Sequence, residues 1–155
     1  MPRRDQNLAV VAWQLVDGLD AGVRGDFRSR AMHLGPMLIS CGLAATAAFH
    51  EAKAGPAPRK PLELAYRSMV DALARHVLKA PTASGGDLVT KAGRMDAASY
   101  RHASADARAF ALWVRRAAEA MIPAAAERGN RDSTPPASGS PEPHTELSAE
   151  GRPRG

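Results

Sequence analysis

Apolar residues recur along this chain at intervals of three and four over most of its length, the spacing of one face of an α-helix. In the first such run Leu8, Val11, Ala12, Leu15, Val16 and Leu19 share a face. That predicts a helix from about Asp5 to Leu19, fraying at Gly18 and Gly22. Asp26 has the side chain of an N-cap, so a second helix is expected from Phe27 to about Cys41. Pro36, after Gly35, has no amide hydrogen for the helical ladder and is expected to kink or divide that helix. Gly42 reads as a C-cap or tight corner before a short helix, Leu43 to about Ala54, whose small residues allow close packing.

Gly55-Pro-Ala-Pro-Arg-Lys60 is a linker, and Pro61 suits the first turn of the helix that follows. Leu62, Ala65, Tyr66, Met69, Leu73 and Val77 trace its apolar face to about Lys79. A loop, Pro81-Thr-Ala-Ser-Gly-Gly86, leads to a short segment over Asp87–Arg94, and the last helix is expected from Asp96 to Met121, limited by Pro123. No strand-like alternation and no internal repeat is present. The fold class predicted is all-α, a compact bundle of about five or six helices.

The last helix carries two stripes. Tyr100, Ala103, Ala107, Phe110, Val114, Ala117 and Met121 alternate spacings of three and four, a seam that packs against other helices. Arg94, Arg101, Arg108 and Arg115 recur every seven residues away from that seam. Each repeat advances ~10 Å and drifts about 20°, so the four are expected to form a ridge. Regularly spaced guanidiniums can track a phosphate backbone, because each presents paired donors to phosphate oxygens. The same pattern also suits a solvated helix face, and Glu119 is placed to pair with Arg115. Leu112 falls on the arginine side and Trp113 on a flank, where both are candidates for subunit contacts. Arg24 and Arg28 share a face four residues apart and join the candidate phosphate-contact set; Arg30, Lys53, Arg59 and Lys60 are scattered.

Composition changes this picture in two ways. Alanine is the commonest residue, 32 of 155, while β-branched and aromatic residues are scarce, which reinforces the helical reading. The charge is +5, from 21 Lys and Arg against 16 Asp and Glu. Arg outnumbers Lys 17 to 4, a bias that a G+C-rich coding sequence also produces, so charge alone does not argue for nucleic acid. Residues 129–155 are polar and rich in Pro, Gly and Ser, and are expected to be a disordered tail after a helical domain over 1–128. The tail holds 3 Arg and 4 Asp or Glu, leaving +6 on the helical part.

Several classes are expected to be absent. One cysteine, Cys41, excludes an internal disulfide and suits a cytoplasmic protein; following Leu38 and Ile39, it is expected to be buried. No apolar run approaches the ~20 residues of a membrane span, and no signal peptide is present, so no membrane partner is expected. His33, His50, His76, His102 and His144 stand singly, with no metal-ligand spacing. Gly85-Gly86 lacks the Lys-Ser/Thr of a phosphate loop. No catalytic residues, cofactor, metal or small-molecule substrate are expected.

Two segments together resemble a known family. Leu34-Gly-Pro-Met-Leu-Ile-Ser-Cys-Gly-Leu-Ala-Ala-Thr-Ala-Ala-Phe49 resembles the Leu-Pro-x-Leu-Ile-x-x-Asn-Gly-Leu-x-x-Thr-Leu-Ala-Phe block of the small subunit of type III-B CRISPR effector (Cmr) complexes. Phe27-Arg-Ser-Arg30 resembles the lead-in to that block. The stretch from Asp96 through Tyr100, Arg101, Trp113, Arg115 and Arg116 to Ala120 resembles the family's C-terminal helix. The chain departs from the pattern at Gly35-Pro36, where proline is shifted by one residue, and at Cys41, where asparagine is usual. The resemblance implies a non-catalytic helical subunit that stacks with copies of itself in a short filament beside other CRISPR effector subunits. It implies guide RNA and target RNA as partners, in antiviral defence, with Arg101, Arg108 and Arg115 at basic positions of the family's helix. Phosphate contacts of that kind position RNA without reading its sequence. The alternatives are the equivalent subunit of a type III-A complex and a helical scaffold that binds only protein.

Overall fold

The computed structural model describes residues 3–126. The expected boundary at residue 128 and the tail over 129–155, with His144, lie outside the described residues. Six helices of eight residues or more follow one another, α1 (Arg4–Asp17), α2 (Arg24–Cys41), α3 (Leu43–Ala54), α4 (Pro61–Leu78), α5 (Gly85–Ala92) and α6 (Ala97–Met121), and residues 124–126 are again helical. No strand occurs among the described residues. The all-α reading is correct.

α6 organises the bundle, with α1 and α2 packed along it, while α3 lies against α4 and α5, and α4 also touches α2 and α6. The apolar seam of α6 supplies the core: Ala103, Ala107, Phe110, Val114 and Ala117 are buried, with Tyr100 and Met121 at its ends partly buried. Phe27, Leu34, Leu43, Met69 and Leu73 close around it.

α2 departs from expectation twice. Its N-cap is Val23, whose carbonyl accepts from the Phe27 amide at 2.9 Å, and Asp26 sits inside the first turn instead. The helix starts earlier because Val23 is itself buried and held by a turn from Asp20. Pro36 does not divide α2, which runs unbroken to Cys41. A proline inside a helix costs about 3 kcal/mol. Phe27, Ala31, Leu34 and Leu38 are all buried along the same helix, and the three larger side chains each gain ~1.5–3 kcal/mol, which outweighs it. Pro36 itself lies on the exposed face, so its ring displaces no core side chain.

Gly42 is the corner the sequence indicates. It serves as C-cap of α2 and N-cap of α3 with φ 86° and ψ 170°, a conformation essentially restricted to glycine. Its amide donates to the Leu38 carbonyl and its carbonyl accepts from the Thr46 amide, each at 3.1 Å. Cys41, the last residue of α2, is exposed and not buried, because the core contact of that helix ends at Leu38. α5 begins at Gly85, two residues before the expected start, with Ser84 as N-cap accepting from the Asp87 amide. Gly85 is required by close approach: a Cβ there would lie 2.7 Å from both Val70 methyl carbons.

Candidate nucleic-acid interface

The candidate surface is the outward face of α6, and local chemistry fixes that helix at both ends. Asp96 caps it by accepting from the Ser99 amide at 2.7 Å, and those hydrogen bonds hold the Asp96 carboxyl below the usual carboxylate range. One turn on, the Tyr100 hydroxyl accepts from the Ala44 amide at 3.1 Å, tying α6 to the first turn of α3 at the Gly42 corner. At the far end Arg28 Nε donates to the Ile122 carbonyl at 3.0 Å. The helix is therefore a fixed rod, with its buried seam setting which side faces out.

Arg101, Arg108 and Arg115 are exposed along that rod, and from first to last they span about 21 Å at ~1.5 Å per residue. Arg94 is not part of the ridge. It precedes the Asp96 cap, in the turn after α5, where its amide donates to the Lys91 carbonyl. The seven-residue count runs back past the point where the cap ends the helix. Among the described residues the guanidiniums of Arg101 and Arg108 meet no carboxylate, while Arg115 Nε lies 3.2 Å from Glu119 Oε1, the pair the sequence suggested.

Leu112 lies between Arg108 and Arg115 on the same face. Together with Ile39, Pro36 and Ala31 of α2 it lines a groove of about 310 Å³ whose edge carries the two arginines. Ile39 is 75% exposed and Leu112 48%. The ridge and the apolar contact residue, assigned separately in the sequence, thus form a single surface with an aliphatic floor and a cationic edge. Trp113 instead packs partly against the core, with the Arg116 guanidinium 5.3 Å from its ring centroid. Arg24 and Arg28 both stand on α2, and their guanidinium groups bond main-chain carbonyls. Arg24 donates to the Leu19 and Asp17 carbonyls at 3.3 and 3.2 Å, satisfying the open end of α1, and Arg28 holds Ile122.

Other titratable groups serve the fold. His50 is buried, its Nδ1 2.9 Å from the Thr46 carbonyl oxygen, and burial lowers its pKa. His76 stacks on Phe110 with ring centroids 5.1 Å apart, and burial pushes its pKa down to about 4, aided by the charges of Lys79 and Arg4. Asp106 is a residue that the sequence pattern did not single out. It is not on a polar face but buried, where it meets Arg4 of α1, Lys79 at 3.5 Å and His102 at 3.6 Å. Its place beside Ala107, one step off the seam, was the available signal. No group of three or more His, Cys, Asp or Glu side chains able to hold a metal ion is present among the described residues. No helix among them is long and apolar enough to cross a membrane.

Residues 4–121 match the family described as CRISPR-associated protein (Cas_Cmr5). The fold is similar to the X-ray crystal structure of a CRISPR-associated Cmr5 family protein from Thermus thermophilus, with a TM-score of 0.64 and 24% sequence identity over 79% of this chain and 100% of that one. No curated protein matches the sequence.

Proposed function

The chain belongs to the CRISPR-associated Cas_Cmr5 family, and on that premise we propose that it is a non-catalytic small subunit of a type III-B CRISPR effector whose α6 face lines the guide RNA–target RNA duplex. One observation carries the assignment of the surface: Arg101, Arg108 and Arg115 stand in register and exposed on a single rigid helix. Arg101 and Arg108 have no carboxylate partner among the described residues. A rigid row of this kind suits the phosphates of a regular duplex, since it need not be ordered on binding. The contacts carry no sequence information, and guide pairing supplies it.

Leu112 and Ile39, held on the floor between two of these arginines, favour a second contribution from the same face. They meet a neighbouring subunit, a copy of this chain or another effector component, at the point where RNA passes. If this surface bound only protein, the positive charge would serve partner selection and the isolated chain would retain no RNA.

The test is a gel-retention assay on single- and double-stranded RNA at low salt, comparing the native chain with Arg101→Glu/Arg108→Glu/Arg115→Glu. Retention should weaken by more than about tenfold in the variant while the far-ultraviolet circular dichroism is unchanged. Equal retention by both proteins removes the ridge from the RNA path. No retention by either leaves the protein-only reading in possession of the surface.

A further inference from the structure

A cleft between α1 and α4 forms a second, separate surface. Three adjoining pockets of about 430, 300 and 360 Å³ share residues: Val11, His76 and Lys79 line the first two, and Gln14, Leu15 and Arg75 line the first and third. They therefore make one continuous trough along α1, with an aliphatic floor that includes Val11, Leu15 and Ala72. Its rim is cationic. Arg75 is exposed with no side-chain partner among the described residues, and Arg4 and Lys79 stand at the end where Asp106 lies. Over the whole trough four cations, Arg4, Arg67, Arg75 and Lys79, stand against two carboxylates, Asp71 and Asp106, which leaves the rim positive.

Lys79 adds an independent sign. It ends α4 at φ 54°, the left-handed region, which costs a residue with a side chain ~1–2 kcal/mol and which glycine or asparagine would occupy more easily. A lysine there gives up some stability and places an ammonium group at the trough. Val11 on the floor is 41% exposed, and beside the trough α1 exposes two more large apolar residues, Val10 at 54% and Trp13 at 52%. That is an apolar strip of the kind that subunit contacts cover.

The character of the floor selects the occupant. A single nucleic-acid strand stacks its bases on aromatic rings, and no Phe, Tyr or Trp lines this trough; of its two imidazoles, His76 is engaged with Phe110 and His102 lies 3.6 Å from Asp106. A second copy of the chain would have to present its other apolar patch, and the Ile39–Leu112 floor is itself edged by Arg108 and Arg115, so cations would face cations. We propose that the α1–α4 trough docks an amphipathic helix of a different protein chain, with aliphatic residues on one face and Asp or Glu along its flanks. This surface is separate from the RNA-lining face and does not depend on it.

The experiment is isothermal titration of the full chain with a synthetic peptide as long as α1, carrying leucine at helical spacing on one face and glutamate on the flanks. A second peptide keeps the leucines and replaces glutamate by lysine. The glutamate peptide should bind saturably, the lysine peptide should not, and both Arg75→Glu and Val11→Ser should weaken binding about tenfold. Arg108→Glu should leave peptide binding unchanged, and Arg75→Glu should leave RNA retention unchanged. Thermal melting of each variant checks that it folds. The proposal is overturned if the glutamate peptide does not bind or if both peptides bind alike. It is also overturned if Arg75→Glu weakens RNA retention as much as peptide binding. Loss of the ridge assignment leaves this result untouched, because the two surfaces are read by different variants.

Discussion

His76 makes the stability of this fold depend on pH between about 7.5 and 5, above the ordinary pKa values of 4.5 and 3.8 at which the lowered carboxylates Glu63, Asp87 and Asp96 begin to contribute. In the folded chain its ring is stacked on Phe110 and its pKa is about 4, against 6.5 when exposed. Between those values the unfolded chain takes up a proton that the folded chain refuses, so stability is full above pH 6.5 and is lost as the pH falls toward 4. Over the step from pH 7.5 to pH 5 the linkage integral comes to about 2 kcal/mol, and partial exposure of the ring to solvent reduces this to about 1 kcal/mol. For a helical domain of this size that is a fall of roughly 3–6 °C in melting temperature. His50, also lowered by burial, acts in the same direction, so His76 must be isolated by comparison. His76→Phe keeps an aromatic ring against Phe110 and removes the titration. The native chain should lose more stability than His76→Phe between pH 7.5 and 5, measured by urea unfolding in the two buffers. Parallel losses would refute the assignment of the depressed pKa to His76.

Three further predictions concern the corner that holds α6 and the helix that leads into it. Tyr100→Phe removes the acceptor for the Ala44 amide and should cost about 1 kcal/mol in urea unfolding, whereas a purely apolar role would leave stability unchanged. Gly42→Ala forces a side chain into φ 86° and sets a Cβ 3.4 Å from the Tyr100 hydroxyl; it should cost ~1–3 kcal/mol and lower the melting temperature accordingly. Pro36→Ala restores an amide donor inside an unbroken helix and should raise the melting temperature, with a fall indicating that the proline shapes α2.

What the sequence made legible and what it did not divides along a physical line. The ends of α3, the start of α4 at Pro61 and the seam of α6 follow from residues whose effect is local and strong: Gly42, Pro61, Asp96 and the three-four spacing around Phe110. Pro36 is as strong a local signal, but four side chains buried along α2 override it, and that burial exists only once α6 and α4 are in place. Cys41 follows the period of α2, but core contact along that helix ends at Leu38, which only the packing of the other helices decides. Arg94 keeps the spacing of the ridge but falls before the cap that begins α6. Leu112 on the arginine face was readable from the helical wheel, while its meeting with Ile39 required the packing of α2. Val10 lies opposite the stripe that buries Leu8, Ala12 and Val16, and Trp13 one step off it, so the spacing of that stripe does not mark them.

The central claim is that the α6 arginines meet phosphate, and the salt dependence of RNA binding tests it most directly. Each phosphate neutralised releases counterions and contributes about 0.7 to 0.9 to the slope of log K against log salt concentration. Replacing Arg101, Arg108 and Arg115 by glutamine removes three such contacts without adding repulsion. The slope should then be shallower by about 2 to 3 in the variant. Slopes that coincide would contradict the claim and place the RNA elsewhere on the molecule.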